Sequence, residues 1–410
     1  MDVLGMTESR GWRRWAAIVA ATAATALVAA CGGGGGDEPA AGSGTGGVTS
    51  EASTAWASGP ISGLGSIIVN GVRYDDSAAR VEDDDGNVRG SDDLKVGVVV
   101  EIRSSSVDDS TGRASASQIR FGSEVVGPIE SIDTAASSIT VLGQPIDIGS
   151  TTVFDDSLGG GIGALSVGTV VEVHALLDTS TGRYAATRIE DKPAATIYRL
   201  RGNVSQLDIA AKTFRLGIAL ISYANATQVP SDLANGQRVR VTLQTAKSGD
   251  AWNAISVRSG LRRVDDANDG RIHGSVSAFR SSSDFEVNGV RVDASAAEFK
   301  PNASAVAQGV FVRVKGRVVN GVLVAREVKV DGRRSDDSIG EAELHGAVSN
   351  LDTAAQTFVV RDVKVDYSGP VEWRDGSSAA GLTNGRQIEV KGFWSDDRTT
   401  LKATRIDFES

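Results

Sequence analysis

From residue 59 onward the chain is written in short stretches in which apolar and polar residues alternate, each a few residues long and bounded by Gly, Asn, Asp or Ser. Period-two alternation puts the apolar side chains on one face of a strand. Ile67-Ile68-Val69-Asn70-Gly71-Val72-Arg73-Tyr74 and Phe285-Glu286-Val287-Asn288-Gly289-Val290-Arg291-Val292 each place two such runs around Asn-Gly. Asn and Gly accept the positive φ of a type I′ turn, so both stretches predict tight hairpins. Thr140-Val141-Leu142-Gly143, Phe214-Arg215-Leu216-Gly217 and Phe358-Val359-Val360-Arg361-Asp362-Val363 keep the strands and vary the turn.

These hairpins belong to a repeat. A Gly followed two residues later by Ile or Val opens each copy, at Gly59, Gly127, Gly202, Gly274 and Gly346, with starts 68, 75, 72 and 72 residues apart. A third landmark is an apolar residue, a Gly three later, then two β-branched residues two apart. The copies read Leu94, Gly97, Val100, Ile102; Leu165, Gly168, Val171, Val173; Leu233, Gly236, Val239, Val241; Val306, Gly309, Val312, Val314; and Leu382, Gly385, Ile388, Val390. The Gly suits a turn with positive φ or a tight barrel corner. A last strand closes each copy, for example Ala116 to Ile119 and Ala403 to Ile406.

Each copy thus predicts about five short strands, with a helical turn or loop before the third landmark. Five strands in roughly 65 residues with one apolar face close best into a small barrel. The fold class expected is all-β: a tandem array of five small OB-like five-stranded β-barrels at 59–124, 125–197, 198–262, 270–332 and 342–410. Five barrels in line would reach on the order of 120 Å. The landmark order resembles the OB-fold. More closely, Gly-x-[Ile/Val]-Ser, the Asn-Gly-Val turn and the Gly-x-x-Val-x-Val strand resemble the bacterial lipoprotein domains grouped as domain-of-unknown-function family 5666, DUF5666. The resemblance spans about 59–410 and implies no activity.

The N-terminus follows another grammar. Arg10, Arg13 and Arg14 precede an uncharged run from Ala16 to Ala30, which is about the length of a signal-peptide apolar region. It falls short of the roughly 20 apolar residues that span a bilayer. Leu27-Val28-Ala29-Ala30-Cys31 resembles the lipobox of bacterial lipoproteins, which implies lipidation of Cys31 and cleavage before it. Gly32 in place of Asp after the cysteine resembles lipoproteins sent to the outer membrane. Residues 1–31 are therefore read as a signal peptide ending at the lipidated residue. Residues 32–58, rich in Gly, Ala, Ser and Thr, read as a flexible tether with an end-to-end distance of roughly 30 Å.

Charge narrows the partners. The chain has 42 basic and 52 acidic residues, a net −10, and residues 1–31 hold three arginines and two of the acids. That balance argues against nucleic acid and against adhesion to anionic lipid, which need clustered positive charge. With Cys31 acylated, no thiol remains for a disulfide or a thiolate metal site.

No catalytic set stands out. His273 and His345 occupy the same position in two copies, just before the opening Gly, which points to a strand edge or inter-domain packing. His174, next to Val173, is expected to face solvent. The repeat faintly resembles the OB-like periplasmic haem chaperone of cytochrome c maturation, but only Asp407-Phe408-Glu409-Ser410 follow Ile406, so haem is not expected. The acidic runs Glu82-Asp83-Asp84-Asp85-Gly86-Asn87 and Asp265-Asp266-Ala267-Asn268-Asp269-Gly270 lack calcium-loop spacing and read as solvated turns. Trp252, Trp373 and Trp394 do not recur at one repeat position and read as core or junction residues.

Neither a cofactor nor a metal nor a catalytic residue is expected. The expectation is a non-enzymatic envelope lipoprotein, held in the cell envelope and most simply at the outer membrane, that binds an envelope protein or glycan or acts as a spacer. The alternative is a carbohydrate- or calcium-binding lipoprotein with one specialised repeat.

Overall fold

A computed structural model describes residues 54–158, 161–179, 181–262, 264–332, 341–361, 363–374, 376–395 and 399–409. Cys31 and the whole of the expected signal peptide, 1–31, lie outside the described residues. The first described strand, Thr54–Leu64, starts inside the expected tether 32–58. The reason is Trp56, an apolar ring in an otherwise small-residue segment. It is 2% exposed and packs into the core of the fourth repeat.

The first repeat shows how the strands close. β1 (Thr54–Leu64) pairs antiparallel with β2 (Ile67–Val69), and β2 with β3 (Val72–Asp75) across the Asn70-Gly71 turn. β3 and β4 (Arg80–Asp83) lie in succession along one parallel edge of β6 (Arg113–Phe121). β5 (Val99–Ser105) pairs with both β6 and β1, which completes the ring. The result is a small closed barrel of five strand positions. The same circuit is drawn by the pairings of residues 125–191, 198–259, 267–332 and 341–408.

The landmarks have physical jobs in this ring. Asn70 and Gly71 take φ of 57° and 76°, and Asn288 and Gly289 take 51° and 78°, the two left-handed residues a type I′ turn requires. The third-landmark glycines Gly97, Gly168, Gly236, Gly309 and Gly385 all have φ between 74° and 92°. In each copy that Gly donates its N–H to the carbonyl of the opening Ile or Val, namely Ile61, Ile129, Val204, Val276 and Val348. The turn before the β-branched strand is thereby pinned to the first strand. Short 3-10 turns precede it in four copies, as expected.

Two expectations are corrected. The repeats are not strung in line, because residues Ser50–Ser410 form one compact unit. β1 pairs in parallel with Ala267–Ser281 of the fourth repeat and with Glu341–Ala347 of the fifth. Val125–Asp133 pairs with Tyr198–Asp208 of the third. One apolar core joins the first and fifth repeats and a second joins the second and third. Docking is favoured because each small barrel leaves apolar residues that a neighbour covers. His174 is likewise not solvent-facing. It is 3% exposed, because a bulge between His174 and Ala175 shifts the side-chain parity and both faces of the strand are covered there.

Candidate functional site

The repeat junctions hold the charged chemistry of the molecule, and the largest lies where the first three repeats meet. The turn after β4 is organised by Asp83, whose carboxylate accepts the backbone N–H of Asp85 and Asn87, both at 2.9 Å, and pairs with Arg89 Nη2 at 2.6 Å. Asp84 and Asp85 thus project from a fixed turn. They enter a row of guanidiniums on the third barrel, where Arg201, Arg240 and Arg258 are register partners on three adjacent strands. Like charges directly opposite one another on a sheet repel. Here carboxylates from other repeats neutralise the row. Arg201 pairs with Asp84, while Arg240 Nη2 at 2.6 Å and Arg258 Nη1 at 2.9 Å pair with Asp85. Glu124 takes Arg238 at 2.9 Å and Arg262 at 2.8 Å, and Arg262 continues to Glu101 at 3.2 Å.

Burial sets the electrostatics. Glu124 is 1% exposed. Burial raises its pKa, but Arg201, Arg238 and Arg262 outweigh that, so the carboxyl sits below its ordinary value. Glu101 moves the other way: burial dominates over Arg262 and its pKa is raised. Beside this network opens a cleft of about 560 Å3, walled by Asp93, Phe121, Val126, Asp191, Lys192 and Ala194 among others. Small-molecule sites are clefts of this size. Asp93 and Asp191 have no side-chain hydrogen bond or ion pair among the described residues, so the cleft keeps a negative surplus.

The second junction joins the first and fifth repeats. Glu343 and His345 lie two apart on Glu341–Ala347, facing Lys391 and Glu389 respectively across the antiparallel pairing. His345 is 6% exposed; its Nδ1 lies 2.5 Å from Glu409 and its Nε2 lies 2.7 Å from Glu343. Lys391 bridges Glu343 at 3.1 Å and Glu389 at 3.4 Å, and Arg73 of β3 reaches Glu343 from the first repeat. Burial alone would lower the His345 pKa, but its bonds to Glu343 and Glu409 raise it. Gly65 is required at this seam: a Cβ there would lie 1.9 Å from the His345 Cβ.

Residues 126–190, 273–329 and 345–407 match the family model described as a domain of unknown function, DUF5666. The chain carries tandem DUF5666 domains. No curated protein matches the chain. The segments 54–121 and 198–259 lie outside the three matches, yet the same hydrogen-bonded landmark runs through them.

The DUF5666 domains use equivalent positions differently. His345 packs at a junction, as expected of that position. His273 stands edge-on to Phe311, with ring centroids 6.2 Å apart. Trp252 is core, and Trp394 lines the junction of the first, second and fifth repeats beside Val96 and Val153. The acidic runs are corrected: they are not solvated turns. Asp83, Asp84 and Asp85 are all held by arginines, Asp265 faces Arg103 at 3.2 Å, and Asp269 faces Arg271 at 2.9 Å. Sequence reading missed the arginine row. Its signal was the paired Arg-x-Arg of Arg199-Leu200-Arg201 and Arg238-Val239-Arg240, which puts four cations on one face of two strands.

Proposed function

We propose that this protein is a non-enzymatic, lipid-anchored binding protein of the bacterial envelope, whose repeats form one head carried on a tether from Cys31. The observation that carries the reading is the cleft of about 560 Å3 at the junction of three repeats, whose wall residues Asp84, Asp85 and Arg240 are held by ion pairs to one another. A pre-organised wall reduces the ordering cost of binding. Catalysis is not part of the reading: His174 is buried, His273 packs on Phe311 and His345 is bonded to Glu343 and Glu409, and no nucleophile–base–orienter chain links them among the described residues. Lipobox residues Leu27 to Cys31 support the anchor, and Gly32 supports the outer membrane as its destination.

Two measurements test it. Mass spectrometry of the membrane-purified protein should find acyl chains on Cys31, and Cys31→Ala should abolish both acylation and processing. Thermal melts against soluble envelope glycans and small metabolites should give a ligand-dependent shift. Ala194→Trp, which fills the cleft from an exposed position without touching an ion pair, should remove that shift. A shift that survives Ala194→Trp places the binding site elsewhere, and no shift across the panel refutes the cleft.

A further inference from the structure

A different set of residues carries the strongest additional chemistry. We propose that Glu343, His345 and Glu389 form a binding site for one divalent transition-metal ion of the zinc type. The inference does not depend on the cleft or on the lipid anchor.

Three donor atoms converge: His345 Nε2 and one carboxylate oxygen each from Glu343 and Glu389 lie within 4.8 Å of one another. Strand geometry brings them together, since Glu343 and His345 share a face by period two and Glu389 is the register partner of His345. His345 is oriented from behind. Its Nδ1 faces Glu409, whose own backbone N–H is fixed to the Gln387 carbonyl at 2.9 Å. An imidazole that donates Nδ1–H to a carboxylate presents its Nε2 lone pair to the other side, the usual arrangement behind a metal-bound histidine. Here that side holds Glu343 Oε1 at 2.7 Å and Glu389 Oε2 at 3.9 Å. A lone pair facing two carboxylates needs a cation between them, either a proton or a metal ion.

The donor spacing is close to what a metal needs, but Arg73 holds the same Glu343 Oε1 and must swing aside to free it. Zinc with N and O ligands at about 2.1 Å in a tetrahedron spaces its donors about 3.4 Å apart. The 2.7 Å contact must open, and the 3.9 Å contact close, by well under 1 Å each. Lys391 helps and hinders. It holds Glu343 Oε2 and Glu389 Oε1, and so turns the opposite oxygen of each carboxylate toward His345. Its charge, with that of Arg73, opposes a second cation. One nitrogen, two carboxylate oxygens and a fourth position for water suit a zinc-type ion, whereas calcium needs six to eight oxygens.

The site belongs to one copy. At the equivalent position of the fourth repeat, His273 has Arg313 as its register partner and Arg271 two residues before it. Cations stand there in place of both carboxylates.

The test titrates zinc chloride into the full-length protein in detergent at pH 7.5, with calcium and magnesium chloride as controls. Calorimetry should show one zinc per chain with about one proton released, and neither control ion should bind at the same place. His345→Gln and Glu389→Gln should each weaken zinc binding at least tenfold, the second guarding against misfolding of the first. Lys391→Met, which lifts the opposing charge, should tighten it at least threefold. Zinc binding that both glutamine variants retain overturns the proposal, and so does its absence from both wild type and Lys391→Met.

Discussion

Glu124 provides the sharpest test of how the repeats are held together. The perturbation is Glu124→Ala. The carboxylate is 1% exposed and faces Arg201 at 3.5 Å, Arg238 at 2.9 Å and Arg262 at 2.8 Å. Truncation takes Glu124 from Arg238 and removes one of two counter-charges from the Arg201 and Arg262 side chains, 3% and 7% exposed, which keep Asp84 and Glu101. Breaking a buried pair from one side costs about 3–5 kcal/mol, far more than the pair contributes net. The assay is urea unfolding of residues 32–410 followed by tryptophan fluorescence. The control is Glu286→Ala, which breaks the Arg280–Glu286 pair at 2.8 Å, with side chains 52% and 23% exposed. That loss should stay within about 0.2–1 kcal/mol. The second arm is Glu124→Leu with Arg201→Met, which removes charge from both sides and should recover part of the loss. A cost below about 1 kcal/mol for Glu124→Ala would show that the junction is hydrated or open in solution. The account of locked repeats would then be wrong.

The third-landmark glycines should separate backbone strain from contact. Gly385→Ala, with φ of 88° and open space around the new Cβ, should cost about 1–2 kcal/mol. Gly97→Ala, with φ of 87° and the Thr187 carbonyl 2.4 Å from that Cβ, should cost measurably more by the same urea assay; equal costs would remove the close packing of the first two repeats. Burial lowers the His174 pKa in the folded chain, although Glu172 and Glu190 pull it upward, whereas the unfolded chain titrates near 6.5. The unfolded state then binds more protons as pH falls below about 6.5, so stability should drop there, and His174→Gln should flatten that part of the profile. Glu101 has a raised folded pKa, so the stability linked to its proton is present below about 4.5 and lost as pH rises through the folded value; Glu101→Gln should remove that loss. Small-angle scattering of residues 32–410 should give a folded body with a radius of gyration of about 20 Å, where a line of barrels would give roughly 35 Å.

The barrel was legible because its signals are local. Asn70-Gly71 specifies a turn within four residues, and the Gly before Val100 and Ile102 specifies the next. Contacts between repeats had no such signal. Asp84 meets Arg201 117 residues away, and Asp85 meets Arg240 155 residues away. A one-residue parity reading also fails where a bulge intervenes, as at His174. The carboxylates around His345 were half visible. Glu343-x-His345 and Glu389-x-Lys391 each read as one strand face, but opposing Glu389 to His345 requires the register of two strands separated by four other strands.

This difference in legibility bears on where function resides. A repeat that recognised a ligand through its own barrel would show the recognising residue in every copy. The residues that recur here are those that close the ring: the opening Val or Ile, the Gly that hydrogen-bonds to it and the β-branched pair. Position-equivalent polar residues diverge instead. His273 meets an aromatic ring and has an arginine as register partner, while His345 meets three carboxylates. Selection on a shared ligand cannot produce that divergence, but docking of each barrel against a different neighbour can. The chemistry of this chain is therefore a property of its junctions. Transplanting the fifth repeat alone should then carry Glu343, His345, Glu389 and Glu409 with it but leave behind Arg73, which belongs to the first. With one opposing cation gone, the isolated fifth repeat should bind zinc more tightly than the intact chain; weaker binding would show that the junction builds the site rather than restrains it.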